Sequence, residues 1–194
     1  MSRTIEDLLE PSITHQLGRL LIACQLMEEA IRTSFPKVIG LSDTFGITDS
    51  LTRDWRAGQR AREAIRIINA ITAHFRLPPA EPVWRLIWVF GVRTPKDDAL
   101  AAREVVAAEC AIWQRAKLLM EYRNQLFHGR LTVNEGEVTI QTKGSPVPFT
   151  AEEFEGRTNE VMEVVFLLTF ITLTFVNAVR WLSDAKSVQS RSES

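Results

Sequence analysis

The chain has 194 residues, of which 45% are hydrophobic and 24% are charged, and its formal net charge is -1 at pH 7. This length suits one domain with a hydrophobic core and is short for two, and the composition excludes a chain that is disordered throughout. The near-neutral charge excludes nucleic-acid binding through overall positive charge, so any basic surface has to be a local patch.

Two long helices are predicted in the first half of the chain. The first begins with Ser12 as its N-cap and ends at Pro36, and its apolar residues recur with helical spacing except at Glu28. A loop is predicted next, over residues 37–50, because that segment contains glycines together with small polar residues. The second helix is predicted over Leu51–Leu77. Its apolar face comprises Ala57, Ala61, Ala64, Ile68, Ile71 and Phe75.

The middle of the chain combines a third long helix with a predicted β-hairpin. A short apolar stretch, Val83–Phe90, first fits either a few helical turns or a buried extended segment. The third helix then begins at Thr94 and ends at Gly129, a residue typical of helix ends. Apolar and polar residues alternate over residues 131–141, with a turn at residues 134–136, and this pattern predicts a hairpin.

The last helix has strong start signals after a predicted loop over Lys143–Pro148. A capping box and a hydrophobic staple are formed by Phe149, Thr150, Glu153 and Phe154. We expect this helix to end near Asp184 and the polar residues 185–194 to be disordered.

Together these elements predict an all-α protein: a helical bundle of about four to five helices with a small β-hairpin inserted before the last helix. Residues 1–184 would form its single domain.

The N-terminus has no signal-peptide core. The apolar stretch Val164–Val179 is shorter than the about 20 residues of a membrane span and contains polar residues. We therefore expect a cytoplasmic protein in which this stretch is a core or subunit-interface helix, with a membrane anchor as the third interpretation.

The end of the third helix carries an unusual run, Arg-Asn-Gln-Leu-Phe-His-Gly, over residues 123–129. Arg123 continues an apolar stripe that includes Leu119, at a position where the pattern calls for a hydrophobe. Burying a guanidinium costs several kcal/mol unless it is paired or faces water or a ligand. Asn124 and His128 are four residues apart and share a face, whereas Arg123 and His128 point about 140° apart. A site that uses both would be easier to build from two copies in a homodimer.

A purely structural interpretation competes with a functional one. In it, Arg123 lays its stem along apolar surface and pairs with a carboxylate, and His128 caps the last carbonyl groups of the helix. An Arg and a His at this loose spacing also occur together by chance.

In its context, at the end of a long amphipathic helix in a small helical domain, the run resembles the HEPN superfamily. The signature of that superfamily is an Arg, four to six residues and then a His, often with a polar residue directly after the Arg; Arg123, Asn124 and His128 match it in type and order. The resemblance covers only this motif and the helical plan. It implies a metal-independent endoribonuclease that acts as a homodimer, often as a toxin with an antitoxin partner or in phage defence. Other members have no known cleavage activity.

The chain departs from one HEPN subtype. That subtype has a Tyr two residues after the His, which a partner nucleotidyltransferase modifies, and this chain has Arg130 there. We therefore do not expect that modification.

The residue types suit cleavage of RNA by its own 2′-OH. Arg123 would stabilise the phosphate and transition state, His128 would transfer protons near neutral pH, and Asn124 would orient His128 or the substrate. The two cysteines have no ligand spacing, and we expect neither a metal nor a cofactor. Weaker candidates for RNA contacts are Arg53, Arg56, Arg60 and Arg130. The alternative function is a non-catalytic helical module for dimerisation or protein interaction.

Overall fold

The computed structural model describes residues 11–40, 55–77, 99–134, 137–141 and 146–192. In order, these residues form α1 (Pro11–Val38), α2 (Ala57–His74), α3 (Ala99–His128), β1 (Arg130–Asn134), β2 (Glu137–Gln141), β3 (Val147–Pro148) and α4 (Ala151–Ser192). The predicted class, a helical bundle with a small antiparallel sheet before the last helix, is confirmed. The stretch Val83–Phe90 and the predicted start of the third helix at Thr94 lie outside the described residues.

Helix α4 packs most extensively against α1 and also against α3, and α3 packs against α2 on another side. Helices α3 and α4 run antiparallel. Arg115 of α3 pairs with Glu163 of α4, and Tyr122, two turns later on α3, packs under Arg157, earlier on α4. The predicted apolar face of α2 is confirmed at its centre, where Ala61 and other members are fully buried. The core draws on all four helices through residues such as Leu20, Ile31, Phe35, Ile68, Ile112, Trp113, Phe154, Leu168 and Phe175.

The end of α1 differs from the prediction, because Pro36 lies inside the last turn and the helix ends at Val38. A proline removes only its own N–H bond to the preceding turn, and the residues after it can still donate. The Ile39 N–H does so, to the carbonyl of Phe35 at 3.2 Å. Gly40 then leaves the helix with a φ of 71°, a conformation that favours glycine.

Gly129 ends α3 as predicted, but because of space rather than backbone conformation. Its N–H donates to the carbonyl of Gln125 at 2.7 Å, and strand β1 begins one residue later. A methyl group on Gly129 would overlap Cγ2 of Ile140 on β2 and crowd the Gln125 carbonyl. The close approach of the sheet to this helix end therefore fixes the position of His128, the preceding residue.

The predicted hairpin is confirmed, with β1 and β2 paired from Arg130 opposite Gln141 to Asn134 opposite Glu137. Only part of the apolar face of the hairpin is buried: Ile140 is buried, whereas Leu131, opposite it on β1, is 48% exposed.

A third strand was not predicted. Val147 and Pro148, assigned to a loop by sequence, pair with Ile140 and Thr139 of β2. Proline lacks the N–H that a central strand needs, but an edge strand such as β3 tolerates it.

The start of α4 agrees with the prediction, and its end does not. The Thr150 Oγ1 accepts the N–H of Glu153 at 3.2 Å, and the rings of Phe149 and Phe154 meet edge to face at 5.0 Å. The helix continues to Ser192, so the expected disordered tail is helical over residues 185–192. That polar stretch contains neither glycine nor proline, so nothing in it interrupts the backbone hydrogen bonds of the helix.

The apolar middle of α4 is only partly covered. Leu168 and Phe175 are buried, but Met162, Phe166, Phe170 and Leu173 are 38 to 62% exposed. Among the described residues, no single helix is long and apolar enough to cross a membrane, and only the two parts of α4 on either side of a 42° bend pass that criterion together.

The fit at Gly129 leads to a stability prediction. Gly129→Ala should destabilise the protein by about 1–3 kcal/mol, the usual range for an overpacked site, because Ile140 and the Gln125 carbonyl have to move. The matched control is Gly156→Ala. Gly156 lies on the exposed side of α4, where an added Cβ meets nothing. This variant should stabilise the protein by about 0.5–1 kcal/mol. Urea unfolding measures both, and equal effects of the two variants would contradict this account of Gly129.

Candidate functional site

The end of α3, the first turns of α2 and the middle of α1 enclose a cleft of about 870 Å³. Its described lining consists of Glu28, Arg56, Ala57, Gly58, Gln59, Arg62, Met120, Arg123, Asn124 and His128. The structure thus brings the three residues of the predicted motif to one cavity. It also adds a wall from α2 that the motif did not indicate.

Arg123 is held on three sides and is one-third exposed to the cleft. Its Nη2 lies 3.4 Å from Oε1 of Glu28 on α1, and its Nη1 donates to Oδ1 of Asn124 at 3.3 Å. The guanidinium carbon lies 4.9 Å from the ring centroid of Phe127. The two charges that interrupt the apolar stripes of α1 and α3 therefore meet each other.

The energetics of this pair do not explain its presence. A fully buried leucine contributes up to about 1.5–3 kcal/mol, and one at either position would extend an existing apolar stripe. A pair whose side chains are 33% and 38% exposed contributes about 0–1 kcal/mol. Hydrophobes at positions 28 and 123 would therefore stabilise the fold about as well, so stability alone does not account for this charged pair.

Asn124 and His128 are exposed on the cleft side of α3. His128 is the last helical residue, immediately before Gly129. The large angle between Arg123 and His128 suggested that two copies would be needed to combine them. In the structure both residues line one cleft of a single chain, so that argument no longer requires a second copy; the homodimer itself stays a prediction.

The α2 wall of the cleft is basic. Helix α2 begins at Ala57, later than predicted, with Arg56 extended at its N-cap, and the side chain of Gln59 accepts the Arg56 N–H at 2.8 Å. The first turn carries no acidic residue. Arg62 stands one turn after Gly58. Among the described lining residues, three arginines therefore face a single carboxylate, that of Glu28.

The four weaker arginine candidates for RNA contacts lie in different environments. Arg56 lines the cleft. Arg60 is only 6% exposed and lies near α1, where it adds to the larger effect of Arg32 in lowering the pKa of Glu29. Arg130 is exposed at the start of β1 and is not part of the described lining, and Arg53 lies outside the described residues.

Sequence reasoning missed two charged residues of the cleft, Glu28 and Arg62. Glu28 was noted only as an interruption of an apolar stripe, and that interruption was the available signal. Arg62 has no comparable signal, because local sequence does not separate it from Arg66, which lies one turn later and outside the described lining.

The shifted pKa values belong to packing rather than to catalysis. Burial raises the pKa of Cys24 to about 11, despite the opposing charge of Arg123, so the thiol beside the cleft stays protonated and is no nucleophile. Burial also raises the pKa of Glu109 to about 7; this carboxyl lies in the core, where Trp113 donates to it at 2.9 Å. Within the described part of the chain, no three His, Cys, Asp or Glu side chains are grouped as metal ligands would be.

Comparisons with family models, with curated proteins and with solved structures give no significant match for this chain. The HEPN resemblance therefore depends on the motif and the helical plan, and the cleft geometry has to be judged by its chemistry.

A double-mutant cycle tests whether the charged pair serves the fold. Glu28→Gln, Arg123→Gln and the double variant should show a coupling free energy below about 1 kcal/mol in urea unfolding, because both side chains are partly exposed. The interhelical pair of Arg115 and Glu163, outside the cleft, is the matched control and should couple as weakly. A coupling of about 3 kcal/mol or more at Glu28 and Arg123 would make them a structural pair and contradict the functional interpretation.

Proposed function

We propose that the cleft is the active site of a metal-independent endoribonuclease of the HEPN type. The observation that carries the proposal is that Arg123, Asn124 and His128 line one basic cleft. A phosphodiester in the cleft would contact the guanidinium of Arg123 and the imidazole of His128, and histidine is the side-chain type suited to proton transfer near neutral pH.

The reaction follows from these groups. The 2′-oxygen of RNA loses its proton and bonds to the adjacent phosphorus, and the bond to the 5′-oxygen breaks as that oxygen gains a proton. The products are a 2′,3′-cyclic phosphate and a 5′-hydroxyl. His128 takes part in the proton transfers, and Arg123 stabilises the additional negative charge on the phosphorane-like transition state.

Glu28 and Asn124 have positioning roles in this mechanism. Contacts with both hold the Arg123 guanidinium at the cleft wall, which reduces the conformational entropy lost when it binds phosphate. Because one histidine cannot be base and acid at the same moment, the second proton transfer falls to water or to His128 of a second copy.

We propose a homodimer through the exposed side of α4. Met162, Phe166 and Phe170 recur every four residues and form one apolar stripe, in which the two phenylalanine rings lie 4.5 Å apart. An exposed apolar stripe of this kind is typical of interaction surfaces.

With the nuclease function we also propose a cytoplasmic role as a toxin or in defence, with an antitoxin as partner.

The same stripe supports the second candidate, a non-catalytic module that binds a partner protein through α4. It needs no chemistry in the cleft. The two candidates therefore differ in whether the protein cleaves RNA through His128.

Purified protein should cleave single-stranded RNA in excess EDTA, leaving 2′,3′-cyclic phosphate ends. A 2′-deoxy substitution at the scissile nucleotide should block cleavage, because it removes the attacking oxygen. His128→Ala and Arg123→Ala should each abolish cleavage while retaining the helical circular dichroism spectrum, because both residues lie at the solvent-facing end of α3. Expression of the wild type, but not of His128→Ala, should slow cell growth.

The control is His15→Ala, which alters an exposed histidine of α1 that is not among the described lining residues, and it should cleave as fast as the wild type. Cleavage that persists unchanged in His128→Ala would reveal a contaminating nuclease. The interaction module would then become the better account.

A further inference from the structure

Arg56 and Arg62 are not used by the cleavage step, although they line the same cleft. Both side chains are exposed. Neither has an ion pair with another residue in the ranges that the structure describes, whereas Arg66, one turn further along α2, contacts the carboxylate of Glu63 through two nitrogens. Arg56 and Arg62 therefore differ from Arg66 in having no carboxylate partner among the described residues.

The backbone beside these arginines is also open. Gly58 lies between them in the first turn of α2, and a Cβ added there would meet nothing, so packing does not require the glycine. A glycine within a helix costs about 0.5–1 kcal/mol relative to alanine, and its lack of a side chain lets a ligand approach the backbone closely. In the first turn of α2 the Gln59 N–H donates to the Arg56 carbonyl at 2.9 Å. The N–H groups at the first two positions of a helix have no partner within the helix and favour anions.

The charges of the cleft are unevenly compensated. The only carboxylate in the described lining, Glu28, contacts Arg123, so the α2 wall keeps an excess positive charge. No Phe, Tyr or Trp side chain is among those lining residues, and the α2 wall itself carries no ring, so it offers phosphate contacts rather than stacking platforms for bases. At about 870 Å³ the cleft is near the upper end of ligand cavities.

We propose that the α2 wall, Arg56 and Arg62, binds the phosphate adjacent to the scissile one, so that the cleft takes two successive phosphates of single-stranded RNA. The proposal rests on the proposed ribonuclease function for the scissile phosphate at Arg123 and His128. It makes the substrate a polynucleotide strand recognised through its backbone, with little dependence on base identity.

The binding test uses a fluorescent RNA octamer with 2′-O-methyl groups throughout, which has no attacking hydroxyl. The logarithm of the binding constant falls linearly with the logarithm of the salt concentration, by about 0.7 for each phosphate contact to a single strand. Because the two arginines share one phosphate in this proposal, Arg56→Gln and Arg62→Gln should each reduce that slope by up to about 0.7 and weaken binding at low salt. The matched control, Arg66→Gln, should leave the slope unchanged. Unchanged slopes in Arg56→Gln and Arg62→Gln, or an equal reduction in Arg66→Gln, would overturn the proposal.

Cleavage kinetics separate this proposal from the ribonuclease proposal. The wild type should prefer an octamer over a dinucleoside monophosphate, which has one phosphate, and Arg62→Gln should reduce that preference mainly by raising KM for the octamer. If cleavage requires His128 but the preference and the salt slopes do not change, the second phosphate site is wrong and the nuclease stands. If the wild type does not cleave while the slopes fall as predicted, the nuclease is wrong and the α2 wall remains a phosphate-binding surface.

Discussion

The contact between Glu28 and Arg123 is the interaction on which the account of this protein depends. Each charge interrupts an otherwise apolar helix stripe beside the core, and the two side chains remain 33% and 38% exposed. Their opposite charges compensate each other at the border between the packed core, which includes Met27 and Leu119, and the open cleft. The same contact aims the guanidinium of Arg123 at the place where a ligand would bind. The pair therefore shapes the cleft while adding little to the stability of the fold.

The ends of the surrounding elements complete the cleft. Helix α3 ends at His128, and the next residue has to be glycine because Ile140 of the sheet leaves no space for a side chain there. His128 at this helix end lines the cleft. Helix α2 begins beside it with an extended Arg56 and a turn that contains Gly58. Functional groups at helix ends benefit from backbone that is already fixed, which lowers the entropic cost of binding.

Sequence alone predicted what depends on local pattern. The helical periodicities, the cap at Thr150 and the alternation in the hairpin are short-range signals, and the structure confirms them. The third strand, the helical tail beyond residue 184 and the burial of Arg60 were missed, because edge pairing, helix continuation and tertiary cover leave little trace in neighbouring residues. Within the cleft, the motif residues were found by type and spacing. Arg62 could be found only after α2 and α3 had been placed side by side.

The most direct test is a crystal structure of the protein with a 2′-O-methyl RNA oligonucleotide. The account predicts that a phosphate lies in the cleft with an oxygen about 3 Å from the Arg123 guanidinium and that the 5′-oxygen or 2′-oxygen of the same linkage faces His128. An oligonucleotide bound outside the cleft, with Arg123 contacting only Glu28 and Asn124, would contradict it.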